Sequence, residues 1–374
     1  MRILQWLPSL MVLLAASAMA ATPTPSQDVG KAFTAAGFPG SCAVSFDGNN
    51  VLTHYTSGYA DVAKQKKYKL DTIQPIASIG KTFVGLALAR LAIEKKLDLD
   101  APIDDYLPWK VRNPHFPNIP ITLRELATHT SSLIDAPVYF DKNYEDGHTP
   151  SMSQLQFVKK YTDASGKWFS AANFTDKKPG THHEYSNMGA NLAAVVIEYR
   201  TGVPFDRYVS EHFFKPLGMK DTSYTYRASA RNSTLYDGSN RALKPYTQVN
   251  YADGRIRSTC VDMTKYFQAV LRARAGKSSP LSADVVAMAL APQFKPEHLP
   301  SGFSDRAPNQ GLFWAYSAMT GIGHSGSDPG VSSFAYIAPD KDRGFVVLGN
   351  ESLEDKPSLL KDIVTIWQVW RPYK

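Results

Sequence analysis

The chain has 374 residues, 43% hydrophobic and 20% charged, with 41 Lys and Arg against 34 Asp and Glu for a formal net charge of +7. This composition excludes a disordered or collagen-like chain, and the length accommodates two domains or one large domain with an insertion. The positive balance suits an anionic cell envelope, and no zinc-finger, helix-turn-helix or base-stacking pattern supports nucleic acid as a partner.

At the start, Arg2 precedes an apolar run over residues 7–16 and then Ala18-Met19-Ala20, a small-x-small site. This reads as a secretory signal peptide over residues 1–20, cut after Ala20. The run is short for a membrane span and contains Pro8, and no cysteine follows the cut to take a lipid. Nothing later resembles a membrane segment. The expected product is exported, either periplasmic or secreted.

Ser26 would cap a short helix to residue 36. Strands over 41–47 and 51–58 follow, joined by Asp47-Gly48-Asn49-Asn50, which is hairpin turn chemistry. Lys64, Lys66, Lys67 and Lys69 read as a solvated hairpin edge. Cys42 and Cys260 are the only cysteines. Export permits a disulfide and the count is even, but Cys42 lies in an apolar run where a small buried hydrophobe serves, which favours two free thiols.

Residues 74–98 carry the densest chemical signal. Behind Ser78 and Lys81, Phe83, Leu86, Ala87, Leu88, Leu91 and Ala92 make a helix apolar on nearly every side, which belongs in a protein interior. Lys95-Lys96 suit its C-terminus. At i, i+3 a hydroxyl and an amine share one helical face. Serine needs such a base to become a nucleophile, and a desolvated lysine near a helix N-terminus has its pKa pushed down. The rival use of Gly80-Lys81-Thr82 as the end of a phosphate-binding loop fails, because Pro75 stands where that motif requires glycine.

Prolines at 102, 108, 114, 117 and 120 open a different texture. Helical stretches are expected at 122–128, 153–162, 188–201, 205–213, 262–275 and 282–290. Strands return at 312–324, 331–338 and 343–349, with a closing amphipathic helix over 356–370. Early and late strands around a helical block predict an α/β (α+β) chain. One antiparallel sheet would be flanked by helices, with a mainly helical inserted domain. The expected division is a discontinuous α/β sheet domain, 21–110 and 311–374, and a mainly helical domain, 111–310.

Two further stretches carry polar chemistry. Tyr185-Ser186-Asn187 follows a Pro-Gly turn and leads into a helix. The Tyr185 phenol can act as a proton carrier beside an ammonium, and Asn187 offers a donor and an acceptor for a substrate amide. His324-Ser325-Gly326-Ser327 ends a strand, where Gly326 would admit a substrate backbone and the Ser327 N–H can face a site. Taken singly, each has an ordinary use: Ser78 as a helix cap, Tyr185 as a half-buried aromatic, His324 as a structural histidine. The adjacent His182 and His183 would point to opposite sides of a strand, and none of the nine histidines has convincing ligand spacing.

Together, Ser78-x-x-Lys81, Tyr185-x-Asn187 and His324-x-Gly326 resemble the three active-site elements of the class C β-lactamase and DD-peptidase superfamily of serine hydrolases. Residues 97–108, 126–133, 214–222 and 323–330 resemble further family stretches in the family's order. The resemblance implies that Ser78 forms an acyl-enzyme and that Lys81 and Tyr185 share proton transfer. It also implies an oxyanion hole from the backbone N–H groups of Ser78 and Ser327, and substrate contacts from Asn187, His324, Ser325, Gly326 and Ser327. No metal or cofactor is implied. Where efficient β-lactamases resemble Lys-Thr-Gly, this chain has His-Ser-Gly, closer to DD-peptidases, D-amino-acid peptidases and some esterases. Tyr-x-Asn argues against the esterase branch. The implied substrates are small peptides, peptidoglycan fragments, β-lactams or esters, with a D-amino-acid amide or peptide favoured. Asp135 and Tyr139 are placed by position along the substrate cleft.

Overall fold

The computed structural model describes residues 37–340 and 342–352. The signal peptide, the 26–36 helix and the 356–370 helix lie outside the described residues.

The strands in chain order are β1 (Gly40–Phe46), β2 (Val51–Asp61), β3 (Lys66–Lys67), β4 (Gln74–Pro75), β5 (Tyr144–Asp146), β6 (Tyr246–Gln248), β7 (Arg257–Ser258), β8 (Ala315–Ser317), β9 (Gly321–Asp328), β10 (Val331–Ile337) and β11 (Gly344–Gly349). The α-helices are α1 (Lys81–Ile93), α2 (Leu123–Ala127), α3 (Pro137–Asn143), α4 (Gln154–Thr162), α5 (Asn187–Thr201), α6 (Phe205–Val209), α7 (Cys260–Arg274) and α8 (Ala283–Leu290). Seven strands form one antiparallel sheet in the order β3-β2-β1-β11-β10-β9-β8. The two ends of the chain meet at β1 and β11, paired from Ser41 against Gly349 to Phe46 against Gly344. The antiparallel sheet built from both ends is therefore as expected. Lys66 and Lys67 sit on its outer edge, where cations discourage edge-to-edge pairing.

Helix α7 packs against β1, β10 and β11 of the sheet, and α8 packs on both α7 and the apolar α1. Every residue of α1 from Lys81 to Ala89 is buried. Gly85 stands mid-helix because a Cβ there would meet the Leu312 carbonyl oxygen at 1.8 Å, so only glycine admits this contact. Phe83 stacks on Tyr266 of α7 at 4.3 Å, and the Tyr266 hydroxyl donates to Thr82. Polar caps start the helices: Thr122 with Glu125 and Ser153 with Gln156 form capping boxes, and Thr259 accepts from the Asp262 N–H.

Three expectations need correction. Cys42 and Cys260 form a disulfide that ties the central β1 to the first turn of α7, across 218 residues of sequence. Apolar burial favoured free thiols, but both residues are fully buried and the fold brings their Cα atoms to 6.5 Å. The strand expected at 312–324 is a hairpin, because Ser317 Oγ accepts from the Met319 and Thr320 N–H groups and Gly321 takes φ 101°. His182 and His183 lie on a loop rather than a strand: His182 meets Ser301 Oγ at 2.8 Å, and His183 packs on Phe303. No helix among the described residues is long and apolar enough to cross a membrane.

Candidate active site

A single 3-10 turn, Ala77–Gly80, delivers Ser78 and runs directly into α1. Ala77 adopts a left-handed conformation, φ 46°, which swings the chain out of β4 and into that turn. Strand β9 passes beneath. A Cβ on Gly326 would meet the Ile76 carbonyl oxygen at 2.5 Å and Ala77 Cβ at 2.9 Å. Gly326 therefore makes room for the Ser78 turn itself, a nearer reason for glycine than the substrate approach expected from sequence. Ser333 of β10 donates to the same Ile76 carbonyl at 2.7 Å and fixes the turn from below.

Ser78 Oγ lies 2.9 Å from Lys81 Nζ and 2.8 Å from the Tyr185 hydroxyl. Lys81 has no exposed surface. Besides Ser78 its amine donates to Asn187 Oδ1 at 2.6 Å and to the Asp253 carbonyl oxygen at 2.7 Å. Burial lowers the Lys81 pKa to about 8, against the opposing pull of the Asp253, Asp135 and Asp328 carboxylates. Burial pushes Tyr185 the other way, well above the usual phenol range, although the bond to Ser78 opposes it. The proton thus stays on Tyr185, and Lys81 is the member of the pair that nears neutrality. A neutral amine has two N–H groups and one lone pair. Two fixed acceptors, the Asn187 amide and the Asp253 carbonyl, take the N–H groups and leave the lone pair to the serine hydroxyl.

Loops hold these partners. Asp253 was not singled out from the sequence. Its position follows from Asn143, Gln154 and Asn191, whose side-chain oxygens accept from the backbone N–H groups of Asn250, of Tyr251 and Ala252, and of Asp253. The Asp253 carboxylate accepts from Tyr139 at 2.5 Å. Asp135 accepts from the Asn187 and Met188 N–H groups at 2.8 Å, capping α5 where it delivers Asn187. The expectation that Tyr139 lines the cleft is therefore corrected, because its side chain is buried and supports Asp253, while the half-buried Asp135 supports the N-terminus of α5. His129, within the 126–133 stretch, packs its ring on Tyr185 at 4.5 Å and accepts from the Ser186 N–H through Nδ1. Burial, with His183, Lys81 and His324 nearby, holds its pKa well below the usual imidazole range.

His324 is buried beside the Tyr185 ring, with Nδ1 against the Ser325 carbonyl at 2.5 Å. Burial and the Lys81 charge lower its pKa to about 3, so the ring is neutral. A charge facing a substrate carboxylate, as a lysine would supply there, is absent from this position. Strand β8 pairs with β9 only at Gly321–Gly323, so from His324 to Asp328 the β9 edge beside the Ser78 turn has no neighbouring strand among the described residues.

The architecture is that of penicillin-binding proteins and their amidase relatives. It superposes on the D-amino acid amidase from Ochrobactrum anthropi SV3 with a TM-score of 0.72, at 22% identity over 93% of this chain and 98% of that one. The sequence matches the Beta-lactamase family over residues 26–364, and the chain belongs to that family. Among curated relatives, it is 26% identical over 349 residues to the D-alanyl-D-alanine-carboxypeptidase/endopeptidase AmpH of Escherichia coli (strain K12), covering 89% of this chain and 86% of AmpH. It is 26% identical over 333 residues to Protein flp of Staphylococcus aureus (strain MW2), covering 87% of this chain but only 62% of the length of Protein flp.

Proposed function

We propose that this chain is an exported serine hydrolase that forms an acyl-enzyme on Ser78 and acts on amide or peptide substrates of D-amino-acid or peptidoglycan type. The observation that carries the reading is the simultaneous contact of Ser78 Oγ with Lys81 and Tyr185, 2.9 and 2.8 Å away. Lys81 takes the hydroxyl proton as Ser78 attacks the carbonyl. Tyr185, protonated at rest, hands its proton to the leaving amine; its phenolate then takes a proton from the water that attacks the acyl-enzyme, and Lys81 returns its proton to Ser78 as the acyl group leaves, so the pair titrates as a unit. Backbone N–H groups of Ser78 and Ser327 would receive the oxyanion, a contact whose loss typically costs roughly 10²–10³ in rate. Asn187 keeps its amide nitrogen for the substrate carbonyl while its oxygen holds Lys81. The open β9 edge suits an extended peptide laid alongside it as an added strand. The AmpH and D-amino acid amidase relatives support the substrate class, and the disulfide supports an oxidising compartment.

Intact-mass analysis after incubation with a panel of β-lactams, short esters and acyl-D-Ala-D-Ala peptides tests this. A covalent adduct on the native protein that is lost in Ser78→Ala, with D-alanine release, is the expected result. No adduct from any member of the panel sinks it. The neutral His324 favours a second reading, a carboxylesterase or acyl transferase on the same scaffold. Fast ester turnover with negligible amide cleavage would select that reading.

A further inference from the structure

Next to the nucleophile turn, a cavity of about 160 Å³ is lined by Pro75, His148, Tyr226, Tyr246, Arg257 and Asp328, among others. Arg257 pairs with Pro75 between β7 and β4. Three residues of extended chain reach at most about 10 Å, so this pairing puts the cavity close to Ser78. Asp328, on the opposite wall, follows Ser327 on the open β9 edge.

Arg257 shares the lining with Arg255, whose Nε is buried without a partner but whose guanidinium donates to the Gln248 carbonyl at 2.7 Å. Arg112, Arg124 and Arg231 each hold an aspartate. Arg257 has no carboxylate within ion-pair reach among the described residues, and its Nε is buried without a hydrogen-bond partner. Its guanidinium lies 5.4 Å from the Tyr226 ring centroid, and Tyr226 stacks flat on His148 at 3.6 Å. Burial lowers the Arg257 pKa, and only the phenols of Tyr246 and Tyr226 oppose that effect. Asp328 lies beyond ion-pair reach of Arg257, and its Oδ1 accepts from Tyr144 at 2.6 Å and from Gln248 at 2.8 Å. Arg257 is only partly buried, but keeping a partly desolvated cation without a counter-charge is still costly, and a bound anion reduces that cost.

We propose that this cavity is a subsite for a carboxylate carried by the substrate, with Arg257 as its counter-charge and Tyr226 as the platform that orients the guanidinium. The assignment rests on the peptide-hydrolase reading and extends it from the scissile bond to a side arm. Selection of acidic peptides then comes from Arg257 rather than from the neutral His324.

The test uses two acyl-D-Ala-D-Ala peptides that differ only in a glutamyl or a glutaminyl residue before the scissile D-Ala-D-Ala unit. The wild-type full chain is expected to prefer the glutamyl peptide in kcat/KM by roughly tenfold or more, as for a charge-assisted bond. Raising the ionic strength should lower that preference, a measurement that needs no variant. In Arg257→Gln the glutamyl-to-glutaminyl ratio should fall toward one, and Arg257→Lys should retain part of it. Equal turnover of both peptides by the wild type, or an unchanged ratio in Arg257→Gln, overturns the subsite. Calorimetric titration of both peptides and of free succinate into Ser78→Ala reads binding without chemistry. Succinate binding as tightly as the glutamyl peptide would put a free anion in the cavity and overturn the substrate-arm assignment. Turnover that survives Ser78→Ala sinks the acyl-enzyme reading instead, while the Arg257 ratio still reports on the cavity.

Discussion

The Ser78 cluster and the Arg257 cavity flank the same short stretch of chain, yet they treat buried charge in opposite ways. Around Lys81, the Ser78 turn, the start of α5 and the Asp253 loop each supply a partner for the amine, so the geometry is assembled before substrate arrives. Around Arg257 a partly buried cation has aromatic walls and no carboxylate within ion-pair reach among the described residues. The first arrangement is complete in itself and suits chemistry that must not vary. The second is incomplete and suits recognition, because it gains most from what it binds. A fixed reactive centre beside an unsatisfied pocket lets selectivity change without disturbing the nucleophile.

Substitutions at the complete cluster should be the most damaging. Ser78→Ala is expected to cost about 10⁴-fold or more in kcat and to abolish covalent labelling, read by intact mass. Tyr185→Phe removes the proton donor but keeps the ring on His129, and should cost about 10²–10⁴-fold in kcat/KM with little change in melting temperature. Reduction of Cys42–Cys260, or Cys42→Ala with Cys260→Ala, should lower unfolding stability by about 2–4 kcal/mol in urea titrations. The pH profile comes next. Lys81 must be neutral to accept a proton, so kcat/KM should rise about tenfold per pH unit up to about 8 and level above it. A flat profile between pH 6 and 9 would remove Lys81 as the base. The smallest effect is expected from Asp135→Asn. It weakens the cap on α5 by about 1 kcal/mol and shifts Asn187 without touching substrate, read as a modest rise in KM and a lower melting temperature.

Much of the cluster was legible because it rests on local spacing. Ser78 and Lys81 are three residues apart on a helix whose apolar run announces its burial, and the observed contact follows from that geometry. Tyr185, Asn187 and His324 offered suitable chemistry by themselves, but only a resemblance joined them to Ser78 and Lys81, since nothing local says that they meet residues more than a hundred positions earlier. Asp253 was invisible. Its contribution to Lys81 is a backbone carbonyl, a group every residue possesses, held in place by three amide side chains from separate elements. Tyr139 was found but misplaced, because position after the 126–133 stretch does not say whether a phenol faces a cleft or a buried carboxylate. The cystine was missed for a related reason: burial looks the same for a thiol and a disulfide until the fold brings two distant residues together. The sheet was easier, since alternation and turn residues mark strands even where 312–324 concealed a tight hairpin.

Ala77 sits at φ 46°, where an L side chain crowds its own peptide. Energy alone would choose glycine there, favoured by about 1 kcal/mol after the extra freedom glycine gives the unfolded chain. A screen for heat-resistant variants should therefore enrich Ala77→Gly, and the same replacement would slacken the peptide that aims Ser78. Ruggedness and turnover are thus traded against each other at one backbone torsion.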